Sequence, residues 1–182
     1  MDCVVIHYSE IGLKGKNRPY FEKRLLNNIK KKTGLEVKRE YGRLVMVYDK
    51  NQIRLLKKVP GIAYYSPALR AELDLKDFIK KAESLVTKGS FRITAKRSNK
   101  SFKPNSIEIN KKVGEALYNK GLKVELEKPD TEVFIEVGNK NAYLYTKKVK
   151  GLGGLPVGVT GKLVALVSGG IDSPVACYEM IR

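Results

Sequence analysis

The first sixty residues alternate between apolar and polar positions in a way that predicts a small α/β unit. The expected elements are a strand, a helix, two strands and a short helix: Cys3–Tyr8, Arg18–Lys32, Val37–Tyr41, Leu44–Tyr48 and Ile53–Val59. The expected strands are rich in β-branched residues, and Phe21, Leu25 and Ile29 repeat every four residues, as on the apolar face of a helix. We therefore expect a first domain over residues 1–60.

Residues 61–150 predict a second α/β unit. Its expected elements are a strand, a helix, a strand, a helix and a hairpin, at 62–73, 75–86, 90–96, 109–121 and 131–146. The helix at 75–86 has the strongest helical periodicity in the chain. The sequence "GNKN" between the last two strands is typical of a tight turn.

The pattern changes at residues 151–161, where "GLGGLPVGVTG" contains five glycines and one proline. Such a segment predicts a linker or a tight crossover. A short apolar run at Leu163–Val167 follows and is typical of a strand buried on both faces of a parallel sheet. Residues 162–182 are therefore expected to begin a further α/β domain that the 182 residues leave incomplete, so that the chain would be a fragment or the product of a split gene.

The net charge of the chain also changes near residue 151. Residues 1–60 have 15 basic and 6 acidic side chains, residues 61–150 have 19 and 11, and residues 151–182 have 2 and 2, which together give the net charge of +17. An excess of this size attracts a polyanion, and we favour nucleic acid over a merely solvated lysine-rich surface. Two lone cysteines and the lack of a leader or a long apolar run indicate a cytoplasmic protein.

Basic side chains are densest at the end of the strand at 90–96. The candidate RNA-binding residues there are Lys96, Arg97, Asn99, Lys100, Phe102 and Lys103. The lysines and the arginine can neutralise phosphates, and the amide can bond to phosphate or 2′-OH oxygens. Phe102 either stacks on an unpaired base or anchors the loop to the core. A second candidate group lies near the start of the chain, at Lys14, Lys16 and Arg18.

The sequence "SGGIDSP" after the last apolar run predicts a phosphate-binding turn. Gly169 and Gly170 leave the backbone amides open to an anion, and Pro174 suits the first turn of a helix, whose N-terminus favours negative charge. Proline at position 156 excludes both of the commoner glycine-rich nucleotide motifs. Asp172 either caps the helix or shares a Mg²⁺ ion with the phosphates, and the sequence leaves both roles open.

This turn resembles the pyrophosphate-binding loop of ATP pyrophosphatases. Three stretches narrow the resemblance: "HYSEIGLKGKNRPYF" at 7–21, "FRITAKRSNKSF" at 91–102 and the run from Gly151 through the loop. Together they resemble the tRNA 4-thiouridine synthetase (tRNA sulfurtransferase) family over the whole chain. The resemblance implies an N-terminal ferredoxin-like domain, a THUMP domain over 61–150 that holds the acceptor end of tRNA, and the first β–α unit of a Rossmann-like pyrophosphatase domain.

The resemblance also implies the chemistry. The family adenylates uridine 8 of tRNA with ATP and Mg²⁺, replaces the oxygen with persulfide sulfur from a donor such as a cysteine desulfurase, and supplies sulfur for the thiazole of thiamine. By motif, the ATP contacts fall on Leu166, Val167, Ser168, Gly169, Gly170, Asp172 and Ser173. The family's catalytic cysteine is expected beyond Arg182, and Cys177 is interpreted as a packing residue. A homodimer is also compatible with the sequence.

Two other interpretations stay open at this point. One is a non-catalytic adaptor of THUMP type that binds tRNA and retains a vestigial loop. The other is a pyrophosphatase that acts on small metabolites, such as an amidotransferase-linked synthetase, although the basic first 150 residues disfavour it. The single histidine, His7, excludes a histidine-based triad or a histidine-rich metal site and is expected to lie in a strand.

Overall fold

The computed structural model describes residues 1–181, which divide into two units. The N-terminal unit contains residues 4–65 together with the chain from Lys148 onward, and the central unit contains residues 1–3 and 66–147. Each unit combines helices with a β-sheet, which confirms the predicted α/β class. Within residues 1–181, every helix is too short or too polar to cross a lipid bilayer.

The N-terminal unit has one long helix and a small sheet. Its elements are β1 (Cys3–His7), α1 (Arg18–Thr33), β2 (Val37–Glu40), β3 (Arg43–Val47), the start of β4 (Tyr64–Ala71) and β9 (Val149–Lys150). The sheet order is β2-β3-β1-β4, and β9 pairs antiparallel with β4. Residues 148–150, which the sequence assigned to the second domain, thus complete the sheet of the first.

Helix α1 forms where the sequence predicted it. Pro19 lies in its first turn, and Gly34 ends it in the left-handed conformation with φ of 72°. Leu25 and Ile29 are fully buried against β1 and β3, and Phe21 packs partly buried beside them. Each such leucine or isoleucine contributes about 1.5–3 kcal/mol by leaving water, so the apolar stripe fixes the helix on the sheet.

The central unit contains two helices and five strands. After β4 come α2 (Leu75–Leu85), β5 (Ser90–Arg97), α3 (Ser106–Tyr118), β6 (Lys123–Val124), β7 (Thr131–Val137) and β8 (Ala142–Tyr145). The order is β4-β8-β7-β5-β6, with β5 parallel to β7 and β8 antiparallel to its neighbours. Buried residues of both helices, such as Phe78 and Val113, pack with Ile93 and Ile135 of the sheet.

The register of this sheet places four strand ends in one row. Arg97 of β5 lies opposite Val137 of β7, Val137 lies opposite Ala142 of β8, and Ala142 lies opposite Ala71 of β4. The loop after β5, the turn between β7 and β8, and the connection from β4 to α2 therefore meet at one end of the sheet. We call this the basic end of the central unit.

One local prediction was confirmed in part and another was wrong. The short helix expected at 53–59 forms as a 3₁₀ helix at Gln52–Lys58, and two further 3₁₀ turns, Glu10–Leu13 and Gly15–Asn17, precede α1. The strand expected at Leu163–Val167 does not form, and these residues are exposed. A strand of the kind expected is stabilised by neighbours on both sides, and residues 1–181 place no strand beside this one.

The glycine-rich segment is an ordered crossover rather than a free linker. Backbone hydrogen bonds join Gly151 N to Ala63 O (2.9 Å), Gly153 N to Ile62 O (2.7 Å) and Gly61 N to Gly153 O (2.7 Å). Pro156 is buried beside Gly61. Further along, side chains of α1 hold two carbonyl oxygens of the segment, at positions 157 and 158.

Replacing Gly151 with alanine tests this packing. The added Cβ would lie 2.2 Å from the carbonyl oxygen of Ile62, a backbone atom that cannot move aside cheaply. We expect Gly151→Ala to lower the free energy of unfolding by about 1–3 kcal/mol, measured by urea denaturation. The control is Gly114→Ala in helix α3, where a Cβ meets no atom within 4 Å. The free energy of unfolding of this control should rise by up to about 1 kcal/mol. Equal stability of the two variants would contradict the packing.

Candidate nucleic-acid interface and phosphate-binding loop

The basic loop, residues 96–103, follows β5 at the basic end of the central unit. Lys96, Lys100 and Lys103 are all exposed, and none of them has an ion pair with another residue among positions 1–181. No acidic residue interrupts the loop. Three solvated cations without an internal counter-charge form a site that attracts phosphates.

The other residues predicted in this loop hold its shape. One guanidinium nitrogen of Arg97 donates to the carbonyl of Phe102. The amide oxygen of Asn99 accepts from Ser101 N at 3.0 Å, and both the backbone N and the hydroxyl of Ser98 donate to Val137 O at 3.0 Å. The loop is therefore tied both to itself and to the neighbouring strand.

Phe102 packs against the core of the central unit. Its ring centroid lies 5.8 Å from that of Phe78, and the side chain is only partly exposed. This placement supports the second of the two roles expected for Phe102, that of an apolar anchor for the loop.

Of the three candidates near the start of the chain, one is exposed and two contact aromatic side chains. Lys16 is exposed, whereas the ammonium of Lys14 lies 5.3 Å from the ring centroid of Phe21. The guanidinium of Arg18 lies 5.6 Å from the rings of both Tyr8 and Tyr41. Arg18 is thus committed to contacts within the N-terminal unit.

Glu22 organises these contacts. Glu22 is 5% exposed, and its carboxylate accepts hydrogen bonds from Arg18 Nε at 2.8 Å and from the Tyr8 hydroxyl, while Arg39 approaches to 3.4 Å. Burial, and then the hydrogen bond to Glu22, raise the pKa of Tyr8 to about 12. Sequence reasoning missed this cluster, although the spacing of Arg18 and Glu22 is that of an i,i+4 helix pair.

Residues 168–173 form a closed turn before the last helix, α4 (Asp172–Ile181). The hydroxyl of Ser173 accepts from Ser168 N at 3.0 Å, and Gly170 N donates to the hydroxyl of Ser168 at 3.3 Å. Residues 168–172 of the turn are exposed, Ser173 is partly exposed, and a Cβ at Gly169 would meet no atom within 4 Å. An anion can therefore approach the amides at the start of α4.

Asp172 stands in the first turn of α4 and is exposed. Within residues 1–181 no three side chains of the histidine, cysteine, aspartate or glutamate type cluster as a metal site. A single exposed carboxylate beside a phosphate-binding turn fits a divalent ion that the phosphates also hold, because Mg²⁺ is commonly bound by one or two carboxylates and substrate phosphates.

Family models cover most of the chain. Residues 3–66 match the ThiI ferredoxin-like domain, residues 71–147 match the THUMP domain, and residues 158–182 match a model described as "Thiamine biosynthesis protein (ThiI)". These matches confirm the resemblance that the sequence motifs indicated.

Similar proteins support the same assignment. The chain is 38% identical to a probable tRNA sulfurtransferase of Mycoplasmopsis synoviae, over 98% of this chain and 48% of that protein. Among solved structures, a 4-thiouridine synthetase in complex with RNA and bound ATP matches with a TM-score of 0.85 and 38% identity, over 100% of this chain and 50% of that one. A Pyrococcus horikoshii protein matches with a TM-score of 0.90 and 33% identity, over 100% and 65%. The chain spans about half the length of the curated relatives it matches.

The Glu22 cluster can be tested by stability. In Glu22→Gln the neutral amide leaves the half-buried Arg18 without its charge partner, so we expect a loss of about 3 kcal/mol in the free energy of unfolding, measured by urea denaturation. Glu36→Gln is the control, because the Glu36 carboxylate pairs with Lys30 at the surface, where such pairs contribute at most about 1 kcal/mol. A loss at position 22 no larger than at position 36 would mean that the cluster is not a stabilising network.

Proposed function

We propose that this chain belongs to the tRNA sulfurtransferase family and matches an N-terminal portion of its members. In this proposal the chain binds tRNA and presents a phosphate-binding loop for ATP. The observation that carries the proposal is the basic loop, where Lys96, Lys100 and Lys103 are exposed and form no ion pair with the residues that the structure describes. The complex of RNA and ATP with the similar 4-thiouridine synthetase supports both parts.

The two parts differ in charge as their tasks require. The first 150 residues have 34 basic against 17 acidic side chains, and the remaining 32 residues are balanced. An RNA backbone needs many cations spread over a surface, whereas one pyrophosphate needs a few backbone amides at a helix N-terminus. The chain provides the first over residues 1–150 and the second at 168–173.

We propose that the whole protein uses ATP to adenylate the O4 oxygen of uridine 8, which releases pyrophosphate. The terminal sulfur of a protein persulfide then attacks C4 and displaces AMP, which leaves the base joined to the protein through a sulfur–sulfur bond. A thiol breaks this bond, so that 4-thiouridine is released and a disulfide remains. The residues of this chain position the tRNA and hold the pyrophosphate part of ATP. The description of the third family model, which names thiamine biosynthesis, supports a further role of the whole protein in that process.

The first test is the salt dependence of tRNA binding. Lys96→Gln, Lys100→Gln and Lys103→Gln combined should reduce the slope of log affinity against log salt by about 2.1–2.7, since each lost phosphate contact accounts for about 0.7–0.9. Fluorescence anisotropy with an unmodified tRNA transcript measures this slope. Arg97 is left unchanged because it holds the loop in shape.

The matched control combines Lys88→Gln, Lys123→Gln and Lys128→Gln, which remove the same charge at the opposite end of the sheet. We expect a much smaller effect on slope and affinity. Equal effects from both triple variants would mean that the overall positive charge of the chain holds the tRNA and that the basic loop is not a specific site. Absence of binding by the unmodified chain would refute the proposed function.

The second test separates the two roles of Asp172. Asparagine caps a helix as well as aspartate does but is a poor ligand for Mg²⁺. If the carboxylate shares a Mg²⁺ ion with ATP, Asp172→Asn in a protein containing the complete pyrophosphatase domain should lower pyrophosphate release at least a hundredfold. Activity within twofold of the unmodified protein would assign capping alone. Thermal denaturation of both proteins checks that α4 is retained.

A further inference from the structure

A basic groove lies at the basic end of the central unit and is separate from the basic loop. It encloses about 590 Å³ between the end of β4, the first turns of α2 and the turn before β8. Its cationic lining is formed by Arg70, Lys76, Lys80 and Lys81, with Asn141 at the β8 side. Neither charge runs nor periodicity in the sequence distinguished these residues.

The cations of the groove are only partly balanced. Lys81 pairs with Asp77 at 3.3 Å, and the Asp77 carboxylate also accepts from Glu72 N at 2.8 Å. Arg70, Lys76 and Lys80 are exposed, and their side chains form no ion pair with another residue in positions 1–181. Glu72 is the remaining acidic residue of the lining, so the groove is left with an excess of positive charge.

The sheet register places this groove in line with the basic loop. Ala71 and Arg97 occupy the same row at the ends of β4 and β5, with β8 and β7 between them. Three strand spacings of about 4.8 Å separate the two ends by about 14 Å. The turn between β7 and β8 lies along this line and contributes the exposed Lys140.

We propose that the groove binds the phosphates of a second segment of the same RNA, so that the RNA backbone runs across the basic end from the basic loop to α2. This inference rests on the proposed tRNA binding. It identifies Arg70, Lys76 and Lys80 as phosphate ligands, with Lys140 as the contact between the two clusters.

The distance between the clusters makes their contributions separable. At 0.1 M salt the screening length is about 10 Å, which is less than the distance of about 14 Å between the strand ends from which the two clusters start. Each cluster therefore neutralises its own phosphates, and losses in the two clusters should add as free energies. A single shared phosphate would instead give losses that do not add.

The test is Lys76→Gln combined with Lys80→Gln in the complete chain, measured by fluorescence anisotropy with the unmodified tRNA transcript. Loss of two phosphate contacts should weaken binding about 25- to 60-fold at 0.1 M salt and lower the salt slope by about 1.4–1.8. Lys88→Gln combined with Lys128→Gln is the control, with the same change in net charge at the opposite end of the sheet. Thermal denaturation confirms that each variant is folded.

Three results would decide the matter. A loss in the groove variant that exceeds the control, and that multiplies with the loss from Lys96→Gln and Lys100→Gln, supports the groove. A groove variant equal to its control, while the basic-loop variant binds weakly, overturns the groove and leaves the proposed function standing. Failure of the unmodified chain to bind tRNA overturns both.

Discussion

The parallel pairing of β5 with β7 is the constraint on which the central unit depends. Seven residue pairs join the two strands, from Phe91 opposite Thr131 to Arg97 opposite Val137. Phe91, Ile93 and Ala95 of β5 alternate into the core, so a slip of one residue would expose all three of them. The same alternation keeps Lys96 in solvent at the end of the strand, where the basic loop begins.

In each cluster of basic residues, an arginine makes contacts within the fold and a lysine remains in solvent. Arg97 donates to the carbonyl of Phe102 and holds the loop, whereas Lys100 remains solvated. Arg18 is likewise committed to Glu22, while the nearby Lys16 is exposed. A planar guanidinium with several donors suits the internal contacts, and a flexible ammonium suits a mobile polyanion. Counting charge in the sequence cannot make this distinction, because it depends on partners that the fold supplies.

Sequence patterns predicted most of the secondary structure. The apolar repeats of α1 and α2 and the hairpin of β7 and β8 were confirmed, because their signals are local in the chain. The strand expected at Leu163–Val167 was wrong, since its formation depends on neighbouring strands rather than on its own composition. The pairing of Arg18 with Glu22 and Tyr8, and the row of strand ends that joins Ala71 to Arg97, arise only when distant segments meet.

The docking of the glycine-rich crossover has a geometric consequence for the turn at residues 168–173. Arg24 of α1 holds the carbonyl of Gly158 at 2.7 Å, so the chain has a fixed point of departure there. Nine residues lie between Gly158 and Ser168, and the ten Cα–Cα steps that join these two residues span at most about 35 Å. Because the chain is anchored at Gly158, the turn at residues 168–173 can move only within a limited volume. This raises the effective concentration of the turn around the N-terminal unit.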